Sequence, residues 1–238
     1  MIENYSNNKI VLLMNDQAYV GREYGENLIK MNIDFDLVIF GKSNSIINEN
    51  EDKRCGNLWK VCSQDYIVSN CKSFFRFDKL DNSILDYFKK KSYSIGIQGG
   101  IGIIKEEFIN LFSVGILNLH PGYLPNYGGC SAPEWQIYEK KPVYVTAHFI
   151  DKGIDTGEII DRKQLNLNYK NYYTMRASIY PQIAIFLIEI LNNYIKIKGI
   201  NSFKQNKSFS NYNRYIGDDT IKELQINWIK YMKAINKV

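Results

Sequence analysis

The chain has 238 residues, 45% hydrophobic and 23% charged, which suits a folded domain with a large core and excludes a disordered chain. Its 30 Lys and Arg are interleaved with 25 Asp and Glu for a net charge of +5, so no nucleic-acid partner is expected and a small anionic substrate suits it as well. The first residues lack an apolar leader and the longest apolar run, Ile183 to Leu191, is broken by Glu189. No membrane partner is expected, and the expected location is cytoplasmic.

Lys9 to Asn15 is a continuous apolar run of the kind a buried parallel strand uses. Tyr19 to Met31 carries helical spacing and Phe35 to Phe40 reads as a second strand, a βαβ opening. The turn after the first strand, Asp16 to Gly21, has no G-x-G-x-x-G fingerprint, so a pyrophosphate held in the dinucleotide manner is excluded there. Asn44 to Asn57 is polar and reads as a loop or short helix. Short strands are expected at Tyr66 to Ser69 and Phe74 to Phe77, then a capped helix over Asp81 to Lys91 with its lysines at the C-terminal end. Ser94 to Gln98 reads as a strand feeding Gly99, Gly100 and Gly102, and Lys105 to Phe112 as the next helix.

Gly115 to Gly129 is the stretch around which the rest is organised: a buried strand running into a Gly/Pro-rich loop. Strand alternation puts Asn118 and His120 on one face and Leu117 and Leu119 on the other. Ala132 to Lys140 is expected to be a short helix with Trp135 in the core. In the strand Val143 to Ile150, His148 shares a face with Thr146 and reads as structural, because no carboxylate or cysteine stands beside it at metal-ligand spacing. Asp151 to Glu158 then offers Asp155 in a tight Gly-flanked turn. An amide, an imidazole and a carboxylate at loop ends form a minimum set for polarising a carbonyl and moving a proton.

Glu158 to Leu165 reads as an edge strand, and Asn171 to Lys198 as a long helix or helix pair kinked or divided by Pro181. Asn206 to Ile216 has strand-and-turn composition, and Asp218 to Asn236 an amphipathic helix starting at an Asp N-cap. Cys55, Cys62, Cys71 and Cys130 show no C-x-x-C pairing and read as reduced thiols, and no metal is expected.

Asn118-Leu119-His120, with Leu124-Pro125 following and Asp151-Lys152-Gly153-Ile154-Asp155-Thr156-Gly157 further on, resembles the folate-dependent formyltransferases in three elements in order. The resemblance spans roughly Lys9 to Leu165 and is tightest from Gln98 onward, although the stretch from Pro125 to Pro133 is one residue longer than usual. It implies an α/β fold with a Rossmann-like, mostly parallel sheet flanked by helices over residues 1–200, and a C-terminal hairpin and helix over 201–238 that dimerises or contacts substrate. It also implies N10-formyltetrahydrofolate as cosubstrate. Asn118 and His120 would stabilise an oxyanion, and Asp155 would orient His120 or relay the proton. Gln98, Gly99, Gly100, Ile101, Gly102 and Ile103, with Tyr123, Leu124, Pro125 and Asp151, would line the folate site.

About sixty residues follow Ile179, which leaves no room for the RNA-binding barrel of the methionyl-tRNA formyltransferases. The phosphate loop of the glycinamide ribonucleotide formyltransferases is also missing. The resemblance therefore points to the sugar N-formyltransferase branch: a homodimer acting on a nucleotide-linked amino sugar, such as a dTDP-4-amino-4,6-dideoxyhexose, for surface polysaccharide (O-antigen, lipopolysaccharide) synthesis. Lys105, Tyr212 and Arg214 are its expected substrate contacts. The alternatives are a formyltransferase acting on another amine and a catalytically silent folate or sugar-nucleotide binder.

Overall fold

A parallel strand buried on both faces must be largely apolar, and Ile10–Asn15 (β1) and Asp36–Phe40 (β2) meet that demand with almost every residue buried. The structure is a computed structural model that describes residues 9–41, 45–78, 82–206, 208 and 210–236. Further strands are Ser73–Phe77 (β3), Ile95–Gln98 (β4), Gly115–His120 (β5), Gly128–Gly129 (β6), Tyr144–Phe149 (β7), Ile159–Gln164 (β8) and Tyr212–Asn213 (β9). Seven of them form one sheet in the order β3-β2-β1-β4-β5-β7-β8. The pairs β3/β2, β2/β1, β1/β4 and β4/β5 are parallel and β7/β8 is antiparallel, so β8 is an edge strand as expected. The expected mostly parallel α/β sheet is present, with helices in the crossovers that parallel strands require.

The helices are Tyr19–Lys30 (α1), Ser45–Cys55 (α2), Gln64–Asn70 (α3), Asn82–Lys91 (α4), Glu106–Ile109 (α5), Ala132–Tyr138 (α6), Tyr172–Ile197 (α7), Asp218–Ile226 (α8) and Trp228–Ile235 (α9). The chain divides into two compact units. The first comprises Met1–Asn48, Val61–Asn118 and Leu187–Asn201, and the second Glu49–Lys60, Leu119–Phe186 and Ser202–Val238. In the first unit, α1 lies so close to β1 and to the end of β4 that a Cβ on Gly21 would stand 2.5 Å from Met14 Cβ and 2.7 Å from the Gly99 carbonyl. Only glycine permits that approach. In the second unit, β6 and β9 pair in parallel, Gly128 with Tyr212 and Gly129 with Asn213.

Several expectations are corrected. Tyr66 to Ser69 is not a strand but lies in α3, because the Ser63 hydroxyl caps the Tyr66 N–H and nucleates the turn. The helix expected over Lys105 to Phe112 contracts to the four residues of α5. Trp135 is half-buried rather than in the core, and its Nε1–H donates to the Arg214 carbonyl; Glu134 and Gln136 are buried polar residues of α6, beside Ala132, Pro133 and Ile137. Within 206–216, β9 pairs with β6, and among the described residues no second strand of a hairpin stands beside it. The single C-terminal helix is two, α8 and α9, with Gly217 rather than Asp218 at the N-cap and Asp218 and Asp219 in the first turn. The N-cap expected near Asp81 lies outside the described residues.

Pro181 sits inside one unbroken helix, α7, instead of dividing it. Among the described residues α7 is the one helix long and apolar enough to cross a membrane. Its Tyr172, Met175, Ile179, Ile183, Ala184, Leu187 and Leu191 are fully buried in the fold, as in a core helix.

Candidate active site

β5 delivers the two polar groups foreseen for it. Leu117 and Leu119 are buried, Asn118 is half-buried, and His120, the last residue of the strand, is also buried. His120 Nε2 lies 2.6 Å from the Tyr127 carbonyl. A carbonyl only accepts, so Nε2 carries a hydrogen and donates it to Tyr127. His120 Nδ1 is 3.5 Å from Asp155 Oδ2.

Asp155 reaches this position from the turn after β7, where its backbone is left-handed (φ 56°). Such a backbone is uncommon outside glycine, though carboxamide and carboxylate residues tolerate it best. Asp151 Oδ1 builds the turn by accepting the Gly153 N–H at 3.0 Å and the Thr156 hydroxyl at 2.7 Å. Gln205 Nε2 closes it from outside, donating to the carbonyls of Asp155 and Gly157 at 2.8 Å each. The Gly129 N–H donates to Asp155 Oδ2 at 2.8 Å. Gly129 has φ 85°, and a Cβ there would collide with the Asn213 carbonyl, so glycine is required for β6, β9 and Asp155 to meet at one residue.

On β7, the polar face carries Thr146 and His148. The Thr146 hydroxyl donates to the Gly122 carbonyl at 2.6 Å and accepts the Leu124 N–H at 3.1 Å, pinning the loop that follows His120. Within that loop Leu124 is fully buried, and the Leu124-Pro125 peptide is cis. Arg162 on β8 donates from Nε to the Leu124 carbonyl at 3.0 Å and lies over the Tyr123 ring at 4.5 Å. His148 was read as structural, yet its Nε2 lies 3.8 Å from Asp155 Oδ1. Burial, and next the neighbouring His120 ring, push its pKa down to about 4 against the opposing pull of Asp155 and Asp151.

Of the foreseen residues, the second unit brings together His120, Asp155, Asp151, Tyr123, Leu124 and Pro125. Tyr212 joins them through the β6/β9 pairing and is exposed, as is Arg214. In the first unit, Gln98 Oε1 accepts the Ile101 N–H at 3.1 Å and also the Gly100 N–H, so its side chain braces the loop it begins. Gly100 and Gly102 are left-handed there, Ile101 is buried and Ile103 is exposed. Lys105 is exposed at the N-cap of α5.

One cluster was missed. Glu134, wholly buried on α6, accepts from Arg176 Nε at 3.0 Å and from the Tyr172 hydroxyl at 3.1 Å, and stands 3.7 Å from Arg54 Nη1. Burial alone would push the Glu134 carboxyl up; Arg176 and then Arg54 outweigh it and hold it below the usual carboxylate range. Arg176 also pairs with Glu51 at 2.6 Å. Arg54 Nη2 donates to Ser131 Oγ at 3.0 Å, and that same oxygen accepts the Ile216 N–H at 3.2 Å. The cluster thus ties down the segment that presents Gly129 to Asp155. Nothing local in the sequence signals it, because its members lie far apart in the chain. Among the described residues no group of three or more His, Cys, Asp and Glu is placed to hold a metal ion.

The strand end at His120 facing the turn of Asp155 belongs to a stretch that matches a known family: residues 9–175 match the formyl transferase family, and the chain belongs to it. Its curated relatives include the bifunctional polymyxin resistance protein ArnA of Wigglesworthia glossinidia brevipalpis, 30% identical over 125 residues, 50% of this chain and 19% of that protein. Another is the methionyl-tRNA formyltransferase of Thermodesulfovibrio yellowstonii, 30% identical over 118 residues, 47% of this chain and 38% of that one. The chain thus spans less than half the length of the curated relatives it matches.

Among solved structures, a sugar N-formyltransferase from a Shewanella species superposes with a TM-score of 0.60 at 17% identity, over 96% of this chain and 88% of that one. An N-formyltransferase from Helicobacter canadensis, solved with folinic acid and dTDP-3-aminofucose, gives 0.58 at 19% over 86% and 70%. At these identities the likeness is one of fold.

Proposed function

We propose that this chain transfers a formyl group from N10-formyltetrahydrofolate to the amine of a nucleotide-linked amino sugar. The observation that carries the reading is the meeting of His120 with Asp155 at the end of the strand that also bears Asn118, in a member of the formyl transferase family. A fold neighbour described as a sugar N-formyltransferase, and an N-formyltransferase neighbour solved with dTDP-3-aminofucose, support the sugar as acceptor. The methionyl-tRNA formyltransferases among the curated relatives favour a second reading, in which the acceptor is the amine of an aminoacyl-tRNA.

In the reaction, the lone pair of the sugar amine forms a C–N bond to the formyl carbon and the carbonyl electrons move onto oxygen. The Asn118 amide donates to that oxyanion, a contribution of about 3 kcal/mol to the barrier. The amine sheds its surplus proton to His120 Nδ1, which Asp155 Oδ2 then accepts as a hydrogen-bond donor. His120 becomes an imidazolium satisfied at both nitrogens, by Asp155 and by the Tyr127 carbonyl, and its charge further stabilises the oxyanion. Collapse breaks the bond from the formyl carbon to N10, and the proton passes to N10. The products are a formamide and tetrahydrofolate, with no net proton change.

Backbone groups of the Gln98–Ile103 loop are assigned to the pterin ring, and Tyr123, Leu124 and Pro125 to the wall of the folate site. Asp151 serves the site by shaping the turn of Asp155. Lys105, Tyr212 and Arg214 are assigned to the sugar nucleotide. A cytoplasmic homodimer supplying formylated sugars for surface polysaccharide completes the proposal.

The test is tetrahydrofolate release, followed by absorbance, with dTDP- and UDP-linked amino sugars and methionyl-tRNA as acceptors. Wild type is expected to release it with an amino sugar. Asn118→Ala and Asp155→Ala are each expected to cut kcat by about a hundredfold or more while nucleotide-sugar binding persists. Release with methionyl-tRNA alone establishes the second reading. Unchanged kcat in both variants removes the assigned roles, and binding without release identifies a silent relative.

A further inference from the structure

The turn that carries Asp155 presents both N–H groups and carbonyls, and they are met from different parts of the chain. From within the turn, Asp151 Oδ1 accepts the Gly153 N–H. The carbonyls are met by the C-terminal segment, where Gln205 Nε2 lies 2.8 Å from the Asp155 oxygen and 2.8 Å from the Gly157 oxygen. Carbonyls only accept, so these two partners decide which end of the amide faces the turn, and each of its N–H hydrogens has one oxygen. Gln205 is itself held in place. Phe203 and Ile159 exchange N–H to carbonyl bonds of 2.9 Å each, and the Ser202 hydroxyl donates to Glu158 Oε2 at 2.6 Å. Further along, the Asn211 N–H donates to the Pro125 carbonyl at 3.1 Å, and the carbonyls of Asn211 and Asn213 accept the N–H groups of Gly128 and Cys130 at 3.0 and 2.9 Å. Residues 202–205 and 211–213 thus fasten the turn of Asp155 and the loop that follows His120, all within the second unit.

We propose that Gln205 is a positioning residue for the transfer: by pinning the carbonyls of Asp155 and Gly157 it sets the direction in which the Asp155 carboxylate leaves the backbone, toward His120. This deepens the formyl-transfer reading and rests on it. The need arises from the left-handed backbone of Asp155 (φ 56°), a conformation that a residue with a side chain keeps only where its surroundings hold it. The carbonyl of Asp155 and its Cβ sit on adjoining bonds of one residue, so a donor that fixes the carbonyl limits the rotation that would swing the carboxylate away. The Gly129 N–H holds Oδ2 from the other side. Asp155 is therefore fixed at both ends, with Oδ2 kept 3.5 Å from His120 Nδ1. Gln205 touches no reacting atom in this arrangement; it acts through Asp155. It is also half-buried, at the rim of the turn, so its loss is expected to reach the chemistry more than the fold.

The test follows tetrahydrofolate release by the full chain with the amino-sugar nucleotide that wild type formylates, beside thermal melts of each variant. Gln205→Met keeps the length of the side chain and removes its donors. It is expected to lower kcat about tenfold, to change KM for donor and acceptor less than about twofold, and to move the thermal midpoint by less than about 4 °C. Gln205→Glu, of the same shape but with no hydrogen to give at neutral pH, is expected to lose at least as much, and Gln205→Lys, which returns a donor, to recover part of the loss. In an Asp155→Ala background, Gln205→Met is expected to leave the residual rate within about twofold, because the residue it acts through is gone.

A folded Gln205→Met enzyme with wild-type kcat overturns the proposal. So does a further loss of about tenfold on top of Asp155→Ala, which would mark a general structural effect. If Gln205→Met does not fold, Gln205→Glu decides by the same two comparisons. If wild type formylates no amine, the formyl-transfer reading fails and the proposal falls with it; if wild type and Gln205→Met transfer formyl equally well, the proposal alone fails, so the two failures are distinguishable.

Discussion

Glycine 129 shows how much one residue can decide. Its N–H holds Asp155 Oδ2, its left-handed backbone admits no side chain, and the strand it belongs to pairs with Tyr212 and Asn213. At the same scale, His148 ties stability to pH. Its folded pKa of about 4 lies below the ordinary value, so the unfolded chain binds the proton more readily. Stability from this group is full above about pH 6.5 and is lost as pH falls through about 4. Glu134, held below the usual carboxylate range, adds a loss of the same sign at lower pH. Thermal melts of wild type and His148→Gln between about pH 7 and about pH 4 check this: the wild-type midpoint is expected to fall the more steeply. Parallel curves would show that His148 does not carry the dependence. His148 was legible in outline, since alternation put it on the face of Thr146; what the sequence did not disclose is that the turn after β7 folds Asp155 back onto that face.

Among the elements, α6 departs most from its sequence. Its heptapeptide APEWQIY reads as a short helix anchored by Trp135, yet it buries Glu134 and leaves Trp135 half-buried, with its indole N–H on the Arg214 carbonyl. The cause is tertiary: Arg176 on α7 and Arg54 on α2 supply two cations at the position of Glu134. Removing one member of a buried ion cluster leaves the others uncompensated and costs about 3–5 kcal/mol. Glu134→Ala is accordingly expected to lower the denaturant midpoint by that equivalent, with Asp155-dependent activity falling alongside because Ser131 and Gly129 share the segment that the cluster secures. A wild-type midpoint in chemical denaturation would show that the cluster is energetically neutral. The strands β1, β2, β4, β5 and β7 were legible because buried runs of Ile, Leu and Val leave little alternative. By contrast β6 is two glycines with no strand propensity, and α3 depends on a Ser63 cap that outweighs the strand-like Tyr66, Ile67 and Val68.

For the molecule as a whole, the fold was readable from the βαβ opening and from the stretch that carries Asn118, His120 and Asp155, which lies within the residues that match the formyl transferase family. The clustered part of the site lies in the second unit, where β5, β7 and the intervening loops converge on Asp155. The measurement that bears most directly on this chemistry is mass spectrometry of the acceptor after incubation with N10-formyltetrahydrofolate carrying carbon-13 in its formyl group. With wild-type protein, the label is expected in the formamide of a nucleotide-linked amino sugar, and with Asp155→Ala it is expected to fall by about a hundredfold. Label recovered only as free formate, or carried to the sugar equally well by Asp155→Ala, would contradict formyl transfer through the His120–Asp155 pair.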